Sequence, residues 1–344
     1  MRTRRSQSSS DPVPSTASND VGPSEASATE GKHRTVLLHE AVEGLAIQKN
    51  DVVVDATLGG AGHARAIAEK LGAKGIFVGF DLDSDAIKRT EEALKPFSAK
   101  ATKGARTILV QANFRNLAVE IPKLGLTHID KVLFDLGWSS YQLDAGRGFS
   151  FLSDEPLSMT YANPAEAGAL TAEKVVNEWA EQSIADVIWG WGEERYSRRI
   201  AKAIVEHRAQ TPFRTSAELA EVIKAAVPTA YRYGRIHPAT RTFQALRIAV
   251  NDELGALKEG LRGAWGLLAE GGRIAVVSFH SIEDRLVKQT FLAWEKEGEG
   301  ERVTKKPLVP SQEELLRNPR ARSAKLRVIQ KNSPHSADDS PESL

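Results

Sequence analysis

Residues 52–65, VVVDATLGGAGHAR, constrain the fold more than any other stretch. Val52, Val53 and Val54 run into Asp55. A continuous apolar run of this kind reads as a strand buried on both faces of a parallel sheet. Gly59, Gly60 and Gly62 follow. They let the backbone turn sharply and approach a ligand where a Cβ would clash. The pattern then predicts a helix over 63–71, with free N–H groups and a positive dipole end facing that ligand. Together these residues predict the first strand–loop–helix unit of a doubly wound, nucleotide-type α/β fold.

The residues around this unit narrow the ligand. The dinucleotide fingerprint Gly-x-Gly-x-x-Gly lacks its third glycine here, because Arg65 stands in that place. A second strand over 75–80 ends at Asp81. An acidic residue about 20 positions past the glycine turn is placed to accept hydrogen bonds from a ribose diol. Both a nicotinamide dinucleotide and S-adenosylmethionine carry that ribose. Asp55 at the first strand end suits a cationic sulfonium and amino group better than phosphates. S-adenosylmethionine is therefore the favoured cofactor.

Three further strands are expected over 107–111, 131–134 and 273–279. The third runs into Phe114, which stacks on an adenine ring or merely closes the core rim. The fourth ends at Asp135. In an open parallel sheet the ligand lies beyond the carboxyl ends of the strands, where strand order reverses. Asp55 and Asp135 are thereby expected in one crevice. His280, after the fifth strand, either reaches that crevice or only fixes its loop. Ser84 and Ser281 are expected to cap the helices after the second and fifth strands, and Gly271-Gly272 to end a helix over 252–269.

Between the fourth and fifth strands the pattern turns helical. Residues 142–247 read as an inserted helical domain for substrate recognition, within a core of 33–141 and 248–330. Thr215-x-x-Glu218 has the form of a capping box. Residues 231–250, YRYGRIHPATRTFQALRIAV, carry Arg232, Arg235, Arg241, Arg247 and His237 among aromatics and contain no acid. Arginines grip phosphates through paired N–H groups and aromatics stack on unpaired bases, so Arg235, His237 and Arg241 are candidate RNA contacts. The alternative is a helix face paired with neighbouring acids. Overall charge does not arbitrate, with 46 Lys and Arg against 45 Asp and Glu. The tails, 1–32 and 331–344, are too polar to bury a core and are expected to be disordered. There is no cysteine, which excludes disulfides, thiolate metal sites and a cysteine nucleophile. No apolar run approaches the roughly 18 residues of a membrane span, and no metal site is expected.

Several motifs now converge. HRTVLLHEAV, DATLGGAGH, DLGWSSYQLD, RGFSF, GEERYSRRIAKAIVEHR, HPATRTFQALRIAVNDEL, SFHSIEDRLVK and NPRARSAKLRV occur in this order. The set resembles the small-subunit ribosomal RNA (cytosine-N4)-methyltransferase family, also called RsmH or MraW, from residue 33 to about 330. The resemblance implies a class I S-adenosylmethionine-dependent methyltransferase fold with an inserted helical domain. It implies methylation of the exocyclic N4 amine of a decoding-centre cytidine, in the cytoplasm, on small-subunit ribosomal RNA or the small subunit itself, with a homodimer left open. By motif position it assigns cofactor contacts to Gly60, Ala61, Gly62, His63, Asp81, Phe114, Asp135 and Gln142. Asp135 is also the candidate catalytic group, as an acceptor for the amine N–H.

The chain departs from the family at three places. Where the family reads Leu-Asp-Met-Arg-Met, this chain has Leu157-Ser158-Met159-Thr160-Tyr161, Ala61 stands where glycine is common, and Trp138 replaces a usual small apolar residue beside the expected target pocket. The first departure keeps two alternatives open: a methyltransferase of altered RNA or small-molecule substrate, and a non-catalytic RNA-binding assembly factor.

Overall fold

In the computed structural model, strands β1 (Val52–Asp55), β2 (Ile76–Asp81), β3 (Arg106–Gln111), β4 (Ile129–Asp135) and β5 (Leu268–Ser278) pair in parallel. The structure describes residues 34–99, 105–137, 146–161 and 169–333. β7 (Lys325–Lys331) is antiparallel to β5, and β6 (Gly300–Arg302) is antiparallel to β7. The order is β3-β2-β1-β4-β5-β7-β6. It reverses between β1 and β4, as a doubly wound sheet requires, and this is the class I methyltransferase topology the resemblance implied. Registers of Asp55 with Gly79, Asp81 with Gln111 and Asp135 with Val277 bring the three strand-end aspartates to one edge.

Both sheet faces are covered. Side chains alternate across a strand, so Val53, Phe77, Leu133 and Ala275 meet α1 (Leu38–Leu45) and α2 (Gly62–Lys70) through Leu37, Leu45 and Ile67. Val54, Phe80, Phe134 and Val276 meet α4 (Leu117–Lys123) and α11 (Glu253–Leu267) through Ile121, Leu257 and Leu261. Each buried phenylalanine contributes about 1.5–3 kcal/mol.

Between β4 and β5 run α5 (Ala172–Glu178), α6 (Glu181–Gly192), α7 (Ser197–Arg208), α8 (Ser216–Ala226), α9 (Thr229–Arg232) and α10 (Thr240–Asn251). They share a separate apolar cluster that includes Ile184, Ile188, Ile200, Ile204, Phe213, Leu219 and Leu246. The capping box forms: Glu218 N–H donates to Thr215 Oγ1, and Thr215 N–H to the Glu218 carboxylate. The expected boundary at 247/248 falls inside α10.

Several local expectations need correction. α3 (Ser84–Ala99) begins at Ser84, and it is Asp83 Oδ1 that accepts the Asp85 N–H at 2.9 Å. α12 (Ser281–Lys296) is capped by His280 with Glu283, one residue earlier than expected. Both patterns, His280-x-x-Glu283 and Ser281-x-x-Asp284, fit a box, and Asp284 instead pairs with Lys325 and Arg327. α11 stops at Leu267, so Gly271-Gly272 lie in the irregular start of β5, where its register with β4 shifts. Lys331 belongs to β7, its Nζ donating to the carbonyls of Trp265 and Leu268. β6 and α13 (Gln312–Arg317) had no expectation.

Candidate active site

The glycine loop is held from three sides. Leu58 N–H donates to Phe80 O, Gly59 N–H to Asp81 Oδ2, and Ala61 N–H to Leu58 O. Gly62 is required by close approach, since a Cβ there would sit 1.7 Å from Thr35 Oγ1. Ala61 adopts φ 63°, the left-handed region that a Cβ disfavours by roughly 1–2 kcal/mol. No side chain caps α2, so its first-turn N–H groups are left for a ligand.

Asp81 joins the loop to the end of β2. Its Oδ2 takes the Gly59 N–H at 3.0 Å and its Oδ1 the Asp83 N–H at 2.9 Å. Burial raises its pKa against those two hydrogen bonds.

Asp55, His63 and Asp135 form the polar centre of the crevice. Asp55 is fully buried. Its Oδ1 accepts the Thr57 N–H at 3.1 Å, while its Oδ2 has no donor among the described residues. Burial pushes its carboxyl up to about 7, helped by Asp135 and Asp81 and opposed by His63. His63 is buried, with Nδ1 3.3 Å from Asp135 Oδ2. Burial alone would lower the imidazole pKa, but the carboxylates of Asp135 and Asp55 hold it above the ordinary value. Asp135 is steered by its own N–H, which donates to Thr57 Oγ1 at 2.7 Å, and its buried Oδ1 has no donor among the described residues. Two buried carboxylate oxygens without donors, on adjacent strands, make a receptor for a cation that carries N–H groups.

Phe114 opens a short 3₁₀ turn (Phe114–Asn116) beyond β3. Its ring packs edge-on against Phe134 at 5.5 Å and against α11, where a Cβ on Gly260 would lie 2.7 Å from it. One side of the ring thus belongs to the core, and the residue remains half-exposed. Gln142 lies outside the described residues. His280 fixes its loop: its Nδ1 accepts the Glu283 N–H at 3.3 Å.

The basic stretch is mostly spoken for. Arg232 donates to the carbonyls of Val227 and Ala225, and Arg241 donates to Glu193 O. His237 stacks on Phe151 at 4.5 Å, and burial lowers its pKa. Arg247 is buried in a two-point pair with Glu253, at 2.9 and 3.1 Å. Arg235 is exposed, with no hydrogen bond or ion pair among the described residues.

Residues without an expected role line the same side. Tyr161 donates its hydroxyl to Glu253 Oε1 at 2.9 Å and its N–H to Asn251 Oδ1 at 2.8 Å. Arg147 donates to Tyr161 O at 3.0 Å. Arg147 sits in the RGFSF motif, which was the available signal. Glu253, His280 and Glu283 bring ligand atoms within 4.8 Å of one another. Arg247 and Tyr161 already occupy both Glu253 oxygens, so this group is an ion-pair network.

The profile of the MraW methylase family matches residues 30–332. A relative from Heliobacterium modesticaldum, named Ribosomal RNA small subunit methyltransferase H, is 47% identical over 317 residues, which are 87% of this chain and 98% of the relative. A Clostridioides difficile relative of the same name is 44% identical over 318 residues, covering 88% and 99%. A solved rRNA methylase from Streptococcus thermophilus aligns at TM-score 0.41 and 12% identity, covering 87% of this chain and 98% of that one. A match over nearly the whole described chain, with its glycine loop and strand-end aspartates gathered at one edge, makes this chain a member of the MraW methylase family.

Proposed function

We propose that this chain transfers a methyl group from S-adenosylmethionine to the exocyclic N4 amine of a cytidine in small-subunit ribosomal RNA, acting in the cytoplasm on the RNA or the small subunit. The observation that carries this reading is the pair of donorless buried oxygens, Asp55 Oδ2 and Asp135 Oδ1, beside the glycine loop. The names of the relatives supply the substrate class. A cationic, N–H-bearing cofactor fits these oxygens and a phosphate-bearing one does not. Gly60, Ala61, Gly62 and His63 would hold it from the loop, Asp81 from the ribose side and Phe114 from the adenine side. Gln142, assigned by motif position, would complete the set. S-adenosylmethionine supplies an electrophilic methyl on a sulfonium.

The chain must do the rest. The lone pair of the cytosine amine is delocalised into the ring, so the amine is a poor nucleophile. The site gains by accepting its N–H bonds while it is held in line, about 3 Å from the methyl carbon. Asp135 is the candidate acceptor, fixed by Thr57 and by His63. Arg235 and the neighbouring exposed Tyr233 are the candidate RNA contacts of the helical segment.

Labelled cofactor and unmodified small ribosomal subunits test this reading, with nucleoside analysis of the product. N4-methylcytidine is the expected product. Transfer to another nucleoside, or none with cofactor binding intact, overturns the reading.

A further inference from the structure

We infer that Arg147 is a positioning residue that transmits cofactor binding to the segment 156–161 on the substrate side, an inference that rests on the proposed function for what the two sides hold. Its main chain and side chain both grip that segment. Arg147 O accepts the Met159 N–H at 2.7 Å, and its guanidinium donates to Tyr161 O at 3.0 Å. The same guanidinium lies 3.9 Å from Asp83 Oδ2. Both side chains are largely buried, at 17% and 10% exposure.

Asp83 belongs to the cofactor side. Its N–H donates to Asp81 Oδ1, and Asp81 Oδ2 in turn accepts from Gly59 in the glycine loop. Its Oδ1 caps α3. Only Oδ2 is left to face outward, and it is shared between Arg147 at 3.9 Å and Arg89 at 3.7 Å. Both separations exceed a formed N–H···O hydrogen bond. The carboxylate therefore sits between two guanidinium groups, and a small shift decides which one it binds.

The far end is anchored firmly. Tyr161 N–H is held by Asn251, its hydroxyl by Glu253, and Asn251 Nδ2 donates back to Met159 O at 2.8 Å. Met159 holds φ 56°, so the turn there is strained and depends on these anchors. A ligand that fixes Asp81 fixes Asp83, and through Arg147 selects one placement of residues 159–161. The contacts run without a gap from the glycine loop to residue 161, with the Asp83–Arg147 pair as their longest link.

Amide hydrogen exchange on the full-length chain, with S-adenosylhomocysteine as the probe, reads this link without any RNA. In the parent chain the probe is expected to slow exchange at Met159 and Tyr161 by roughly 5-fold or more, the lower end of ordinary coupling. In Arg147→Met that slowing is lost while protection in the glycine loop remains. Asp83→Asn is the second variant: it keeps an oxygen to cap α3, removes the charge, and is expected to lose the same transmission. With subunits as substrate, Arg147→Met raises KM and leaves kcat close to the parent value. Equal slowing at 159 and 161 in parent and variants overturns the inference, as does a parent chain that shows none. Failure of the parent to methylate subunits overturns the functional reading instead, and the exchange result stands apart from it.

Discussion

Two buried ionic clusters lie at the carboxyl edge of the sheet, and they differ in one respect. Around Glu253 and Glu283 each carboxylate oxygen faces a donor or a cation, from Arg247, Tyr161, the backbone of Phe279 and His280, whose Nε2 lies 3.1 Å from Glu283 Oε1 without a formed hydrogen bond. Around Asp55 and Asp135 one oxygen of each has no donor among the described residues. A completed network rigidifies a fold, whereas an incomplete one stores the cost of a missing partner. The first cluster is therefore read as structure and the second as a receptor. Sequence alone does not separate them, since both consist of acids and bases near strand ends.

The contrast breaks most sharply at its two centres. Asp135→Asn should lower methyl transfer by roughly 100-fold or more, the range of a lost acid–base partner, with little change in urea midpoint. Loss of stability without loss of rate would assign Asp135 to the structural class. Glu253→Gln should do the reverse. It removes the paired anion from the buried Arg247, costing up to about 3–5 kcal/mol in urea unfolding. A variant of unchanged stability would show that this network is dispensable.

The pH dependence of cofactor binding sharpens the same comparison. Asp55 holds its proton up to about pH 7, and His63 is held protonated above its ordinary value. A bound cation favours the Asp55 carboxylate and neutral His63, so both protons must leave. Affinity should accordingly rise as pH climbs through about 7, where Asp55 loses its proton. The slope for one proton is at most about tenfold per pH unit. Calorimetry in two buffers of different ionisation enthalpy counts the released protons, and Asp55→Asn should release fewer. A flat profile would mean that the ligand does not meet Asp55.

Smaller effects are expected on the surface. Arg235→Ala should weaken RNA binding and reduce the slope of log affinity against log salt by about 0.7–0.9, one phosphate contact. Arg241→Ala should reduce that slope by less, because one Nη of Arg241 is tied to Glu193 O, which restricts its reach to a phosphate. Equal slopes for the two variants would return Arg241 to the RNA face. Ala61→Gly should raise stability by under about 2 kcal/mol by relieving φ 63°, measured as a shift in urea midpoint.

What could be read in advance follows the range of the interaction. Asp81 meets the glycine loop across a fixed spacing of 22, and the apolar strand runs and the Thr215 capping box rest on neighbours within a few positions. The fate of the arginines does not. Tyr161 meets Glu253 across 92 positions, and Arg241 meets Glu193 across 48. A stretch without acids looked free to bind phosphate because its carbonyl and carboxylate partners lie in other elements. The capping error at Ser281 has another origin: two overlapping boxes are offered one residue apart, and Arg327 with Lys325 removes Asp284 from the contest.

The place of β7 also sets the timing of folding. Of the described strands it is the last to leave the ribosome, yet it lies inside the sheet, between β5 and β6. Its Val328 packs within reach of Gly44 in α1, close to the start of the described chain. Until residues 325–331 emerge, β5 presents an open edge and α1 has only part of its floor. Contacts spanning this much of the chain close late and slowly. A nascent chain thus carries an unprotected sheet edge from the completion of β5 at Ser278 until β7 begins at Lys325, an interval in which edge-to-edge pairing with other chains competes with folding.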